Sequence, residues 1–259
     1  MRKQKGMTII AILVFAFLFL PLLLIIVTSF GTESAIKFPI KGFTLDWYAN
    51  VFQTESFIAG FKLSLTIGVL ATLLALLIGV PISYVLSRYH ITGKSQFKSF
   101  FLSPTIIPGI VVGYVLFQWI VIALGLPVFM GLLIGHFLIS LPYIIRVVGS
   151  SLEQMDISVE EAAWTLGCTR QKAFTKIVLP NISSGIFASF MLAFVNSFNN
   201  VPVSMFLSGP GVNMLPTSIL SFMEYNYDPT VSALSVMIML LTVVMMVIIE
   251  KTLGLASIS

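Results

Sequence analysis

Charge is scarce in this sequence. Only 9% of its 259 residues are Asp, Glu, Lys or Arg, while 58% are hydrophobic and the mean hydropathy is +1.04. Soluble domains carry about a quarter charged residues, so the chain lacks the polar side chains to cover a water-facing surface. That argues against a soluble enzyme, a nucleic-acid-binding domain and a disordered regulator. Cysteine occurs once, at Cys168, which rules out an intrachain disulfide. Only two histidines occur, His90 and His136, and no HExxH is present, so a histidine-based metal or triad site has no support. No GxxxxGK followed by Ser or Thr exists either, so the chain carries no nucleotide-binding loop. What remains is the composition of an integral membrane protein.

Uncharged stretches are long. They run over 6–32, 63–87, 99–145, 177–223 and 229–249. A bilayer core about 30 Å thick is crossed by roughly 20 apolar helical residues. Gly125-Leu126-Pro127 supplies a turn that divides the third stretch, and Ser208-Gly209-Pro210-Gly211 favours a loop in the fourth. The sequence therefore predicts six spans, at about 8–29, 57–86, 99–124, 128–149, 181–207 and 230–250. Pro21 is expected to kink the first, which is too long for a signal peptide and reads as a retained anchor. Pro104, Pro108 and Gly109 are expected to bend the third.

Orientation follows from lysine and arginine. With six spans, 11 of the 14 basic residues fall on the face that holds both chain ends and the 150–178 loop; only Lys37, Lys41 and Lys62 fall on the other. The first face is therefore predicted to be cytoplasmic, and the net charge of +4 reflects topology without an acidic or nucleic-acid partner. Two extracytoplasmic segments, about 30–56 and 208–229, are too short for an independent domain, and Trp47-Tyr48 suits an interfacial belt.

The loop between spans four and five has its own pattern. Ser158, with Glu161 three residues on, reads as a capping box opening a helix. Val159, Ala162, Ala163 and Leu166 fall on one face. Gly167 fits the left-handed position after a helix end. Thr169 is placed to cap a second short helix ending before Pro180. The two alanines leave room for another protein's backbone to approach; a helical hairpin packed on its own membrane domain fits the same geometry.

Glu161-Ala162-Ala163, three residues, Gly167, nine residues, then Ile177-Val178-Leu179-Pro180 resembles the EAA motif of ABC importer permeases. The resemblance extends over length, spans and topology. It implies an all-α, six-span type I importer permease fold, with 1–259 as a single transmembrane permease domain in a bacterial inner membrane. It also implies that Glu161, Ala162, Ala163 and Gly167 belong to a coupling helix seated in an ATPase subunit, and the apolar ridge adds Leu166. The partners implied are a dimer of ATP-binding subunits, a second six-span permease (a paralogue rather than a copy), an extracytoplasmic solute-binding protein and the lipid bilayer. ATP and Mg belong to the ATPase, leaving no cofactor and no catalytic or metal residue in this chain.

The segment Phe38-Pro39-Ile40-Lys41-Gly42-Phe43-Thr44-Leu45-Asp46-Trp47-Tyr48 resembles permeases of the spermidine/putrescine group. So does Ser197-Phe198-Asn199-Asn200-Val201-Pro202-Val203-Ser204, with Ser208-Gly209-Pro210-Gly211 and Leu215-Pro216 after it. A polyamine-like solute is implied, although relatives also move aminophosphonates and often have acidic residues where this chain has Asn199 and Asn200. Asn196, Asn199, Asn200 and Ser204 are the candidate pathway residues, because polar side chains in a membrane helix face protein or a hydrated cavity; hydrogen bonding between helices is the alternative. His136 reads as a packing residue. A secondary transporter without an ATPase is a competing reading, but it expects carboxylates well inside a span and none is present. An intramembrane enzyme lacks its catalytic residues.

The topology makes a direct prediction. In a Cys168→Ser background, single cysteines at Ser158 and Asn213 should react with an impermeant thiol reagent from opposite sides of the membrane, the first only from the cytoplasm.

Overall fold

A computed structural model describes residues 2–253 of the chain, and these are helical with connecting turns. Met1 and residues 254–259, the ends predicted to share the cytoplasmic face, lie outside the described residues. The chain forms two compact units, Met1–Ile58 with Ser218–Ser259, and Ala59–Thr217.

In the first unit, α1 (Arg2–Thr28) contains Pro21 without ending there. Helix α2 (Asp46–Gln53) lies in the first predicted external segment. It is tied to the start of the last helix by Asn50, whose amide donates to Thr230 Oγ1 at 3.3 Å. The indole of Trp47 donates to the Gly31 carbonyl at 2.6 Å, and Tyr48 and Ser29 share a hydroxyl pair at 2.7 Å. The two aromatics assigned to an interfacial belt therefore also close the turn after α1.

The second unit takes α3 (Glu55–Arg88) from Ala59 onward. It continues with α4 (Lys94–Leu102), α5 (Gly109–Leu116, prolonged to Ala123 as a wider π-helical stretch) and α6 (Val128–Gln154). The loop helices are α7 (Ser158–Thr165), α8 (Arg170–Ala173, widening over Phe174–Val178) and α9 (Leu179–Asn181). Helices α10 (Ser183–Phe198) and α11 (Val201–Leu207) follow. Two further helices, α12 (Leu215–Tyr225) and α13 (Thr230–Leu253), complete the chain, so both segments predicted as external connections hold a helix.

Among the described residues, three helices are long and apolar enough to cross a membrane, Ile10–Thr28, Glu55–Arg88 and Val128–Gln154. Two bent pairs raise the number to five: 94–105 with 109–123, meeting at 93°, and 170–181 with 183–198, meeting at 69°. The apolar part of α13, Thr230–Val244, is shorter. The expected bend in the third span is a true break, because Pro108 sits in extended backbone (φ −53°, ψ 128°) and has no N–H to continue a helix. The predicted span 181–207 is likewise interrupted, at Asn199-Asn200, so it is not one helix. At Gly125, φ of +61° makes the expected turn between α5 and α6.

The short α11 is held between two glycine pairs. A Cβ at Gly113 of α5 would lie 2.8 Å from the Pro202 carbonyl oxygen, and one at Gly135 of α6 would lie within contact distance of Leu207 Cδ1, at 2.5 Å. Gly109 and Gly131 continue the two pairs at the four-residue spacing that lets membrane helices approach closely. Around this contact Ile67, Leu132, Ile139, Val203, Leu207 and Met214 form one buried cluster. Gly113→Leu should therefore destabilise the protein by about 1–3 kcal/mol through overpacking. Gly149→Ala, inside α6 and meeting nothing within 4 Å, should not destabilise it and should add up to about 1 kcal/mol of helix stability. Thermal unfolding of both variants in detergent checks the contrast.

Candidate functional site

Two places gather the residues singled out by sequence: the 155–181 loop, and the break between α10 and α11.

In the loop, α7 begins where predicted, but its start is made differently. Ser158 is the first helical residue and its side chain caps nothing; the residue before the helix, Ile157, has no capping side chain. Asp156 acts instead, its Oδ1 accepting from the Ser158 N–H at 2.9 Å. A carboxylate two residues ahead reaches that donor without help from Ser158, so the capping box does not form. The bond from the Ser158 N–H holds the Asp156 carboxyl below its ordinary range. Gly167 has φ of +83°, the left-handed conformation expected after a helix end. Thr169 Oγ1 accepts from the Lys172 N–H at 3.4 Å and opens α8 as expected. Helical backbone then continues through Pro180 to Asn181, past the predicted end, because Pro180 sits at the start of α9, where its missing N–H costs nothing.

The apolar ridge is split. Val159, Ala162 and Leu166 are exposed, Leu166 to 89%, whereas Ala163 is buried. Glu161 is exposed. Its neighbour Glu160, which sequence reasoning did not single out, is fully buried. The Glu160 carboxylate accepts from Arg88 Nε at 2.6 Å on Oε1 and from the Tyr84 hydroxyl at 2.9 Å on Oε2. Arg88 also donates through Nη2 to the Met155 carbonyl at 2.9 Å, serving one of the orphan carbonyls at the end of α6. Aromatic contacts surround this ion pair. Phe174 lies 4.7 Å from the Tyr84 ring, and Arg170 lies over the Trp164 and Tyr89 rings at 5.3 and 5.8 Å. The one sequence signal was Arg88 itself, a cation closing the last turn of a long apolar helix; nothing in the spacing assigned it Glu160.

At the break, the four pathway candidates have separate positions. Asn196 is half-buried and donates to the Tyr143 hydroxyl of α6 at 2.9 Å. Asn199 is exposed at the end of α10. Asn200 caps α11, its side-chain oxygen accepting from the Val203 N–H at 3.0 Å. Ser204 is buried, and its hydroxyl donates to the Asn200 carbonyl. The fully buried His136 spans the break, with Nδ1 2.9 Å from Ser197 Oγ of α10 and Nε2 3.3 Å from Ser204 Oγ of α11. With its proton directed to Asn200, Ser204 receives the hydrogen of Nε2, and Nδ1 accepts from Ser197. His136 thus packs helices, as expected of it, and does so on both sides of the interruption.

The chain is similar to several known proteins. Residues 79–251 match the family model for the binding-protein-dependent transport system inner membrane component. The spermidine/putrescine transport system permease protein PotC of Escherichia coli (strain K12) is 32% identical over 239 residues, covering 90% of this chain and 88% of that protein. The putrescine transport system permease protein PotI of the same strain is 30% identical over 238 residues, covering 89% and 84%. Among solved structures, a bacterial ABC transporter involved in the import of the acidic polysaccharide alginate superimposes with a TM-score of 0.70 at 18% identity, over 98% of this chain and 97% of that one. The MetNI methionine ABC transporter, in inward-facing conformations, gives 0.61 at 18% identity, over 77% and 94%.

The capping geometry at the break carries its own prediction. Asn200→Ala should cost about 1 kcal/mol of stability, as loss of an N-cap does, whereas Asn199→Ala should change it by less than about 0.5 kcal/mol. Thermal unfolding of the two variants in detergent measures the difference.

Proposed function

Because the chain belongs to the binding-protein-dependent transport system inner membrane component family, we propose that it is the pore-forming permease subunit of an ATP-driven importer for a polyamine-like solute. It is a multi-pass inner membrane protein homologous to polyamine permeases. A solute-binding protein delivers the solute from outside. A second six-span permease, a paralogue, completes the pore. A dimer of ATP-binding subunits docks on the cytoplasmic loops. In this chain the docking surface is Glu161, Ala162, Leu166 and Gly167 at α7 and its end, while Ala163 of the same motif packs inward behind it. The observation that carries the reading is Leu166, an apolar side chain 89% exposed on a helix ridge that ends in a left-handed glycine. An exposed leucine alone is ordinary; here it continues the ridge of Val159 and Ala162 within a permease-family chain.

The solute route passes the α10–α11 break, where Asn199 stands exposed and backbone continuity is interrupted. Irregular backbone at membrane depth is tolerated where it lines a cavity or lies within protein. The break offers amide groups and no carboxylate, so it hydrates and orients an ammonium group, and selection for charge rests with the binding protein. Asn196, Asn200 and Ser204 shape the route by holding the two helix ends in place.

Affinity purification in mild detergent tests the assignment. An ATPase and a second permease should co-purify. Gly167→Val forces a β-branched residue to positive φ, a strain of about 1 kcal/mol or more. Glu161→Lys reverses a charge on the docking face. Both variants should reach the membrane yet retain ~5-fold less ATPase. Recovery of the chain alone, or undiminished ATPase on both variants, contradicts the assignment.

A further inference from the structure

Adjacent glutamates on α7 have opposite surroundings. Glu161 faces outward, while Glu160 is buried with both carboxylate oxygens engaged by α3. We infer that Glu160 and Arg88 form the joint through which α7 moves α3, an inference that rests on the permease reading above and assigns Glu160 a positioning role distinct from docking.

The argument begins with what a buried ion pair does well. Removing two charges from water costs nearly as much as their attraction returns, so such a pair contributes little net stability over a well-packed apolar pair. It does fix one geometry, because a carboxylate and a guanidinium bond only in set directions. Apolar contacts around Tyr84, Val178 and Ile182 hold over a range of positions. The Arg170 contact with Tyr89 is exposed and screened by solvent. The Arg88–Glu160 pair is therefore the stiff link between loop and span. Its place fits that role, since Arg88 is the last residue of α3 and also grips the Met155 carbonyl that closes α6. One side chain thus holds the end of α3, the end of α6 and the first turn of α7. At its other end α3 reaches α10: a Cβ at Gly68 would lie 3.0 Å from the Phe194 ring, and Phe61 packs edge-on against Phe198 at 6.0 Å. Phe198 directly precedes Asn199, so a shift of α3, whose helix runs on through Pro81, arrives at the break.

The test uses the intact complex with its ATPase, carrying Cys168→Ser and Asn199→Cys. The maleimide reaction rate at position 199 is compared between the nucleotide-free and ATP–vanadate-trapped states. In the otherwise unaltered complex the two rates should differ. Glu160→Gln should keep its ATPase but shrink that rate ratio about tenfold, within the usual range of coupling between sites. In the charge-swapped pair Glu160→Arg with Arg88→Glu, which re-forms the ion pair in reverse, the ratio should recover, which a loss of general stability would not permit. A normal ratio in Glu160→Gln, or ATPase loss equal to that of Glu161→Lys, overturns the joint. Should Glu160→Gln fail to assemble, Tyr84→Phe decides: the loss of one hydroxyl donor should reduce the ratio ~3-fold, and an unchanged ratio overturns the inference. A chain that captures no ATPase overturns the permease reading itself, a result distinct from failure of the joint.

Discussion

A single guanidinium determines how the loop meets the membrane helices. Arg88 bonds Glu160 of α7 and the carbonyl of Met155, the residue capping the end of α6, while itself ending α3. Without it, a carboxylate would be buried with only the Tyr84 hydroxyl as partner, a state that is strongly unfavourable, and the end of α6 would lack its donor. The exposed features of α7 depend on this arrangement. With Glu160 and Ala163 turned inward, the helix periodicity leaves Glu161 and Ala162 outward, and Leu166 stands exposed just past the helix end. Inward anchoring and outward display are two faces of one short helix, too short to be stable in isolation.

A second constraint governs the helices around the break. Helix α11 has seven residues, too few to span a bilayer or to persist alone. It persists because Asn200 caps its first turn, two glycine pairs let α5 and α6 approach its backbone, and His136 ties it to α10. These are local, directional contacts, so the interruption is part of the packing.

Sequence reasoning reached what depends on composition and near neighbours. Uncharged runs locate α1, α3 and α6; Gly125 and Gly167 announce positive φ; Thr169 announces a cap. It missed one competition between near neighbours and what depends on distant partners. Ser158 with Glu161 has the spacing of a capping box, yet Asp156 lies closer to the donor and takes it. Spacing draws attention to Glu161, and only the position of Arg88, 72 residues before Glu160, shows that its neighbour is the buried one. Asn196, Asn199 and Asn200 suggest one polar cluster on a continuous helix; once the helix breaks, they take three different environments. The helices α2 and α12 were hidden because their segments were read through turn residues and external placement.

The two glycine contacts on α11 differ in what obstructs them, and this bears on how the sequence can vary. At Gly135 the obstacle is the Leu207 side chain, so a larger residue there has a genetic remedy: a smaller residue at 207 opens the space. At Gly113 the nearest obstacle is a main-chain carbonyl oxygen, which every amino acid at position 202 would present. Suppressor selection should therefore recover second-site revertants of a Gly135 substitution at Leu207, and find for Gly113 chiefly reversion to glycine.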